Sequence, residues 1–316
     1  MNSSHTGYIF PGQGSQKVGM LAELAESFSL VKETFLQASD VLGYDLWALT
    51  QTGPAEELDK TQITQPTILT ASVAIWRLLK DQGGISPSLM AGHSLGEYSA
   101  LTCAGVIDFA DAVSLVQQRG EFMQSAVPLG VGGMSAIIGL DDDKVVVACE
   151  QAKQGEEVAA VNFNCPGQIV IAGHIDAVTR AGALCKEAGA KRALPLLVSA
   201  PFHCVLMKPA AEKFAAVLDE VTFNSPEIPV LQNFGLECSS DPEVIRNNLV
   251  NQIFSPVPWI DTINKFAGSR INQVLEIGPG NVLSGFNRRI QPDMNVLSVN
   301  DLASLEQAKS LGESAA

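Results

Sequence analysis

The sequence predicts an α/β fold in which a larger α/β unit is interrupted by a smaller one. Short apolar runs alternate with helix-length amphipathic runs along the chain, the pattern of strands and helices packed in layers. Between residues 128 and 199 the order changes to strand, helix, strand, strand, helix, strand. A serine set between two glycines, GHSLG at 92–96, follows one apolar run directly and opens a helix-length one.

Each element has its own justification. GYIF (7–10) is a strand running into the glycine-rich turn PGQGSQ (11–16). QPTILTASVAIWRLLKDQ (65–82) reads as a largely buried helix, SLMAGH (88–93) as a strand, and LGEYSALTCAG (95–105) as the start of a helix. DFADAVSLVQQRGEFMQSAV (108–127) is a further helix. In the middle segment MSAIIGL (134–140) is a strand, and DDDKVVVACEQAKQ (141–154) is a helix with an acidic first turn that suits its dipole. EVAAVNFN (157–164) and QIVIAGH (168–174) are strands joined by the turn CPG. IDAVTRAGALCKEAG (175–189) is a helix ended by glycine, and RALPLLV (192–198) is a strand. That βαββαβ order is the split βαβ, or ferredoxin-like, unit. INQVLEIGPG and NVLSVN supply later strands of the larger unit's sheet. The expected domains are residues 1–127 with 200–316, and 128–199, and the cleft between them is the default site.

Composition excludes several classes. With 46% hydrophobic and 17% charged residues in 316, the chain is that of a soluble globular protein rather than a disordered one. A formal charge of −14 argues against a nucleic-acid or anionic-membrane surface. MNSSHTGYIF lacks a basic segment followed by an apolar one, so no export signal is expected. The charge-free stretch Phe122–Leu140 holds four glycines and a proline, which makes it a poor membrane span. The six cysteines, at 103, 149, 165, 185, 204 and 238, show no Cys-x-x-Cys spacing and no histidine placed for a zinc set. Reduced thiols in a cytoplasm are expected, and no metal.

Gly92-x-Ser94-x-Gly96 is weak evidence by itself, since a small residue in a glycine-rich bend gives the same pattern. Its context is stronger: strand, tight turn and a helix beginning near Leu95 form the arrangement of a nucleophile elbow. The Leu95 N–H at the helix start suits an oxyanion, and Glu97 in the first helical turn reads as a complement to the helix dipole. A serine nucleophile needs a base, and the chain has four histidines. His5 lies in a terminus expected to fray. His93 adjoins the serine and should point away across the turn, while His174 ends a strand, where a turn or cap role suffices. His203, in VSAPFHC, stands where the chain returns to the larger unit, and elimination leaves it as the candidate. Arg119 shares a helical stripe with Ala112, Val116, Met123 and Ala126. It is either a snorkelling or ion-paired structural side chain, or a guanidinium aimed at a carboxylate in the cleft. GPGN (278–281) and GQGSQK (12–17) match no phosphate-binding loop and read as turns.

FPGQGSQ (10–16), TQPTILTASVA (64–74), GHSLGEYSAL (92–101), QQRGEFMQ (117–124), NFNCPGQIVIAG (162–173), SAPFH (199–203) and EIGPGNVLSG (276–285) occur in this order. Together they resemble the bacterial malonyl-CoA:acyl carrier protein transacylases of type II fatty acid synthesis, over nearly the whole chain. Acyltransferase domains of polyketide synthases share these motifs, and a compact chain points to the discrete enzyme. The resemblance implies a hydrolase-like α/β domain with a ferredoxin-like insert, and a ping-pong transfer from malonyl-CoA to the phosphopantetheine thiol of acyl carrier protein. It implies Ser94 as the acyl-carrying nucleophile, His203 as its base and Arg119 as the receptor of the malonyl carboxylate. The N–H groups of Gln13 and Leu95 would form the oxyanion hole. The main-chain carbonyl of Gln252 would orient the histidine in place of a triad acid, and Gln65 would line the cleft. Phe202 matches an aromatic that excludes an α-methyl branch, or is an ordinary core phenylalanine. No metal or redox cofactor is implied. Cys204 stands where many members carry serine, and Asn281 where lysine is common. Lys191 with Arg192, and Arg288 with Arg289, are candidate contacts for the acidic carrier protein. Two other readings remain open at this point: a serine esterase or thioesterase, whose usual order puts an acid and then a late histidine after the serine, and a non-catalytic carrier-protein-binding module.

Overall fold

The computed structural model describes residues 5–196, 198 and 200–313. Its strands are β1 (Thr6–Phe10), β2 (Leu89–Gly92), β3 (Gly132–Ile138), β4 (Val158–Cys165), β5 (Gln168–His174), β6 (Arg192–Pro195), β7 (Val230–Leu231), β8 (Gln273–Ile277) and β9 (Asn295–Val299). Five of them form a parallel sheet in the order β7-β2-β1-β8-β9. The other four form an antiparallel sheet in the order β4-β5-β3-β6.

Strand alternation accounts for the layers of the parallel sheet. On one face Tyr8, Phe10, Met90, Leu275 and Ile277 pack with the buried helix Thr61–Asp81 in the main core. On the other face Ile9, Leu89, Ala91 and Val274 meet Trp259, Ile263 and Phe266 of helix Trp259–Gly268. Both faces are covered, so β1 is buried at every residue and reads as an unbroken apolar run. The antiparallel sheet divides in the same way. Ile137, Val158, Ile169 and Ile171 pack under helices Asp142–Ala152 and Ile175–Glu187. Met134, Ala136, Val161, Val170 and Ala172 face the main core instead. Main-chain bonds between β4 and Val257 join the two sheets' units, with Phe163 N donating to Val257 O at 3.0 Å and Val257 N to Val161 O at 2.8 Å.

The element order agrees with the sequence reading, with local differences. The buried helix begins at Thr61 rather than Gln65, and Pro66 lies inside it. β3 starts two residues early, at Gly132, and β6 ends at Pro195, with Leu196 N still donating to Met134 O at 3.0 Å just beyond it. Leu197, Ser199 of the SAPFH motif and residues 1–4 fall outside the described residues, and with them the 199/200 boundary. The start of the chain does not fray at His5: its carbonyl accepts from Asn272 N at 3.1 Å and holds the chain to β8. Among the described residues no helix is long and apolar enough to cross a membrane.

Candidate active site

The turn after β2 is built on close backbone approach. A Cβ on Gly92 would lie 1.8 Å from the Gly96 carbonyl carbon, and one on Gly96 would lie 2.0 Å from Phe10 O. Only glycine lets the strand, the turn and helix Gly96–Cys103 stack this closely. Ser94 between them has φ 51°, a left-handed conformation that costs a non-glycine residue energy and that surrounding bonds must hold. Those bonds come from Asn233, whose Oδ1 accepts from Ser94 N at 2.9 Å and whose Nδ2 donates to Gly92 O at 2.7 Å. The hydroxyl is thereby presented to the space between the two sheets.

His203, also at positive φ (64°), places Nε2 2.7 Å from Ser94 Oγ. Its Nδ1 lies 3.0 Å from the main-chain oxygen of Gln252, so Nδ1 carries the proton and Nε2 is left to accept. Burial, and then the positive charge of Arg119, push its pKa down to about 3. The imidazole is neutral at physiological pH, the form a base requires.

Arg119 is 1% exposed and comes from helix Phe109–Ser125. Its Nη1 donates to Gln65 Oε1 at 2.9 Å, and its Nη2 to Gln252 Oε1 at 3.0 Å and to Ser94 Oγ at 3.2 Å. The Tyr98 ring lies beneath the guanidinium, 5.2 Å from its carbon. Of the two readings of this residue, the geometry removes both snorkelling and ion pairing: the head group is inside, and no carboxylate lies within 4.0 Å among the described residues.

A cavity of about 280 Å³ holds these groups. Gln13, Gln65, Leu95 and Phe202 line it from one side, and Met134, Ala136 and Val170 from the antiparallel sheet. The main-chain N–H groups of Gln13 and Leu95 meet no protein acceptor among the described residues. Phe202 is buried. His93 points its Nε2 at Asn164 Oδ1 (2.9 Å), away from the serine, and His174 Nδ1 accepts from Glu157 N (2.9 Å). Cys204 Sγ donates to Pro201 O at 3.0 Å, and Asn281 stands at the start of helix Val282–Ile290. Lys191 and Arg192 are exposed, whereas Arg289 is tied to the β4–β5 turn through Gln168 and Pro166 and Arg288 reaches Val296 O. No group of three or more His, Cys, Asp or Glu is placed to hold a metal among the described residues.

Two features were not foreseen. Glu97 stands in the first turn of its helix, as expected, but is also fully buried, accepting from Gln252 Nε2 (2.8 Å), Asn233 N (2.9 Å) and Gln232 Nε2 (3.2 Å). Gln252 offers more than its main-chain carbonyl. Its side chain bridges Arg119, Glu97 and, at 3.0 Å, the carbonyl of Ser94. A carboxylate two residues from an amphipathic helix start carried no sign of burial, and Gln232 and Asn233 sit in no motif.

A strained serine within hydrogen-bond reach of a buried neutral histidine, set in a cleft, defines a serine-based acyl-transfer site. The acyl transferase domain family matches residues 7–298. The chain is 58% identical to the malonyl CoA-acyl carrier protein transacylase of Salmonella typhimurium, over 95% of this chain and 97% of that one. It is 44% identical to the protein of the same name from Bacillus subtilis, over 96% of each. A solved acyl carrier protein S-malonyltransferase from Vibrio cholerae superposes with a TM-score of 0.95 at 56% identity, covering 97% of this chain and 100% of that one. A chain in a solved complex of a type II polyketide acyl-carrier protein with its malonyl-transacylase matches with a TM-score of 0.96 at 56% identity, over 98% of this chain and 100% of that one. The chain belongs to the acyl transferase family, among the malonyl CoA-acyl carrier protein transacylases.

Proposed function

We propose that the chain transfers a malonyl group from malonyl-CoA to the phosphopantetheine thiol of acyl carrier protein, by way of an ester on Ser94. One observation carries this reading: Ser94 Oγ lies 2.7 Å from His203 Nε2 and 3.2 Å from Arg119 Nη2. Nucleophile, base and a buried carboxylate receptor are within one short acyl group of each other. The relatives' names and the carrier-protein complex of a relative support the choice of donor and acceptor.

In the first half-reaction the Ser94 hydroxyl gives its proton to His203 Nε2 as Oγ attacks the thioester carbonyl. The oxyanion takes the N–H groups of Gln13 and Leu95. Collapse breaks the C–S bond, and the CoA sulfur leaves with the proton from His203. In the second half the phosphopantetheine thiol gives its proton to His203, attacks the ester carbonyl, and Ser94 Oγ recovers the proton on leaving. Charge and protons balance without a metal or redox cofactor. Arg119 holds the malonyl carboxylate through both halves, and Gln65 and the Gln252 side chain hold Arg119.

The same reading makes the parallel-sheet unit, residues 1–127 and 200–316, a hydrolase-like α/β domain. The strand order β4-β5-β3-β6 supports a ferredoxin-like domain at 128–199. A cytoplasmic location, with the donor and the carrier, belongs to the same proposal. An esterase would need no buried cation without a carboxylate partner, and Arg119 is such a cation. Incubation with malonyl-CoA, with and without carrier protein, tests the proposal by mass spectrometry. Malonyl should remain on the protein until carrier is added and then appear on the carrier. Release of free malonate at the same rate without carrier would make the protein a hydrolase, and no adduct at all would make it a binding module.

A further inference from the structure

Glu97 and Arg119 are two buried charged groups, and neither has an opposite charge within 4.0 Å among the described residues. One amide stands between them. Gln252 Oε1 accepts from Arg119 Nη2 at 3.0 Å, and Gln252 Nε2 donates to Glu97 Oε2 at 2.8 Å. We propose that Glu97 is a positioning residue for acyl selection: its carboxylate anchors the N–H end of the Gln252 amide, whose oxygen then holds Arg119 over Ser94. This rests on the reading in which Arg119 receives the malonyl carboxylate.

The chemistry of the three groups allows one arrangement only. A guanidinium has donors and no acceptor, a carboxylate has acceptors and no donor, and an amide has one end of each kind. Reversing the amide would set N–H against the guanidinium and C=O against the carboxylate. The direction of Gln252 therefore follows from the two charges together with the Ser94 carbonyl, which also accepts from Nε2 at 3.0 Å. A neutral amide at 97 would remove the charge that anchors Gln252 Nε2 and leave that N–H end held by the Ser94 carbonyl. The carboxylate is itself held by the Asn233 N–H at 2.9 Å and Gln232 Nε2 at 3.2 Å. Burial raises its pKa above the usual carboxylate range against these bonds and the charge of Arg119, which lower it; all three neighbours donate to it, as a carboxylate requires.

The consequence is specific to the acyl group. A carboxylate on the acyl chain meets a guanidinium already in place, at no cost in reorganisation. An acetyl group has no carboxylate for Arg119 to hold; its transfer feels Arg119 through the Ser94 Oγ bond and the charge on His203, effects that malonyl transfer shares. Glu97 also reaches Ser94 through Asn233, whose side chain holds the elbow. That path affects every acyl group equally, so the ratio between substrates separates the two effects.

The test is kinetic, with malonyl-CoA and acetyl-CoA as donors and the carrier protein as acceptor. Glu97→Gln keeps the shape and removes the charge. It should lower kcat/KM for malonyl-CoA about ten- to a hundredfold, the size of one lost hydrogen bond to a charged group. The acetyl rate should fall by less than about threefold. Gln252→Met breaks the relay and keeps the main-chain carbonyl on His203; it also removes the bond to the Ser94 carbonyl, which lowers both donors alike, so malonyl transfer should fall about tenfold or more beyond the acetyl loss. In an Arg119→Ala background, Glu97→Gln should cost malonyl transfer little more, because neighbours acting through one group are not additive. Equal proportional losses for malonyl and acetyl in Glu97→Gln, or full additivity with Arg119→Ala, would overturn the proposal. If Glu97→Gln does not fold, Gln252→Met decides: a selective loss supports the relay, and a uniform one, or failure of this variant to fold as well, refutes it. Should Arg119→Ala itself lower both donors equally, the fault lies in the reading of Arg119 and not in the relay.

Discussion

Arg119→Ala separates recognition of the acyl group from the chemistry on it. The guanidinium is 1% exposed, so a malonyl carboxylate that reaches it has given up its hydration and is repaid by charge-assisted bonds. Removing one partner of such a desolvated pair costs about 2–5 kcal/mol, and tenfold corresponds to about 1.4 kcal/mol. Malonyl transfer should therefore fall from about thirtyfold to a few thousandfold. The substitution also leaves Gln65 Oε1 and Gln252 Oε1 without their donor, so some thermal stability should be lost; a melting curve checks that the fold survives. Acetyl-CoA has no carboxylate to lose, and its slow transfer should change little or rise. The assay is the initial rate of acyl-carrier formation with each donor, wild type against variant. Equal losses for the two donors would refute the reasoning and make Arg119 a purely structural cation.

Gln252→Ala keeps the carbonyl that orients His203 but removes three side-chain bonds, so kcat for malonyl transfer should fall more than about tenfold while staying above that of His203→Ala. Loss by less than twofold would show that the main-chain carbonyl alone matters. The pH profile follows from the depressed histidine. The neutral ring is the competent form and its pKa lies at about 3, so kcat/KM should stay level as pH falls through 6.5 and decline only well below it. Arg119→Ala removes one cause of the depression and should move that decline upward; a wild-type decline centred near 6.5 contradicts this. Phe202→Ser should raise methylmalonyl-CoA use relative to malonyl-CoA, measured as a ratio of kcat/KM, and an unchanged ratio would return Phe202 to the core.

What the sequence made legible was whatever local patterning controls. The elbow could be read because close packing of strand on helix demands glycine at 92 and 96, and the small antiparallel sheet because its strands alternate with amphipathic helices at regular spacing. Arg119 was conspicuous as a charge on an apolar stripe. Residues that act through long-range contacts were not legible. Glu97 looks like any acid in a first helical turn until Gln232, Asn233 and Gln252 close over it from 135 to 155 positions away. β7 has two residues, too short for any periodicity, yet it leads directly into Gln232 and Asn233. The helices between Ala22 and Leu58 were also missed: three are too short for a sustained 3.6-residue pattern, whereas Ser29–Leu42 carries one, with Val31, Thr34, Phe35 and Ala38 buried on one face. The buried helix starts one turn before the expected Gln65, and Pro66 is accommodated within it.

The central claim is that the acyl group passes through Ser94 Oγ. Its most direct test is peptide mapping after brief exposure to malonyl-CoA without carrier protein. The account predicts one malonyl group, on the peptide carrying Ser94, discharged when carrier protein with a free phosphopantetheine thiol is added, and absent in Ser94→Ala. A malonyl label on any other residue, or transfer that persists in Ser94→Ala, would contradict it.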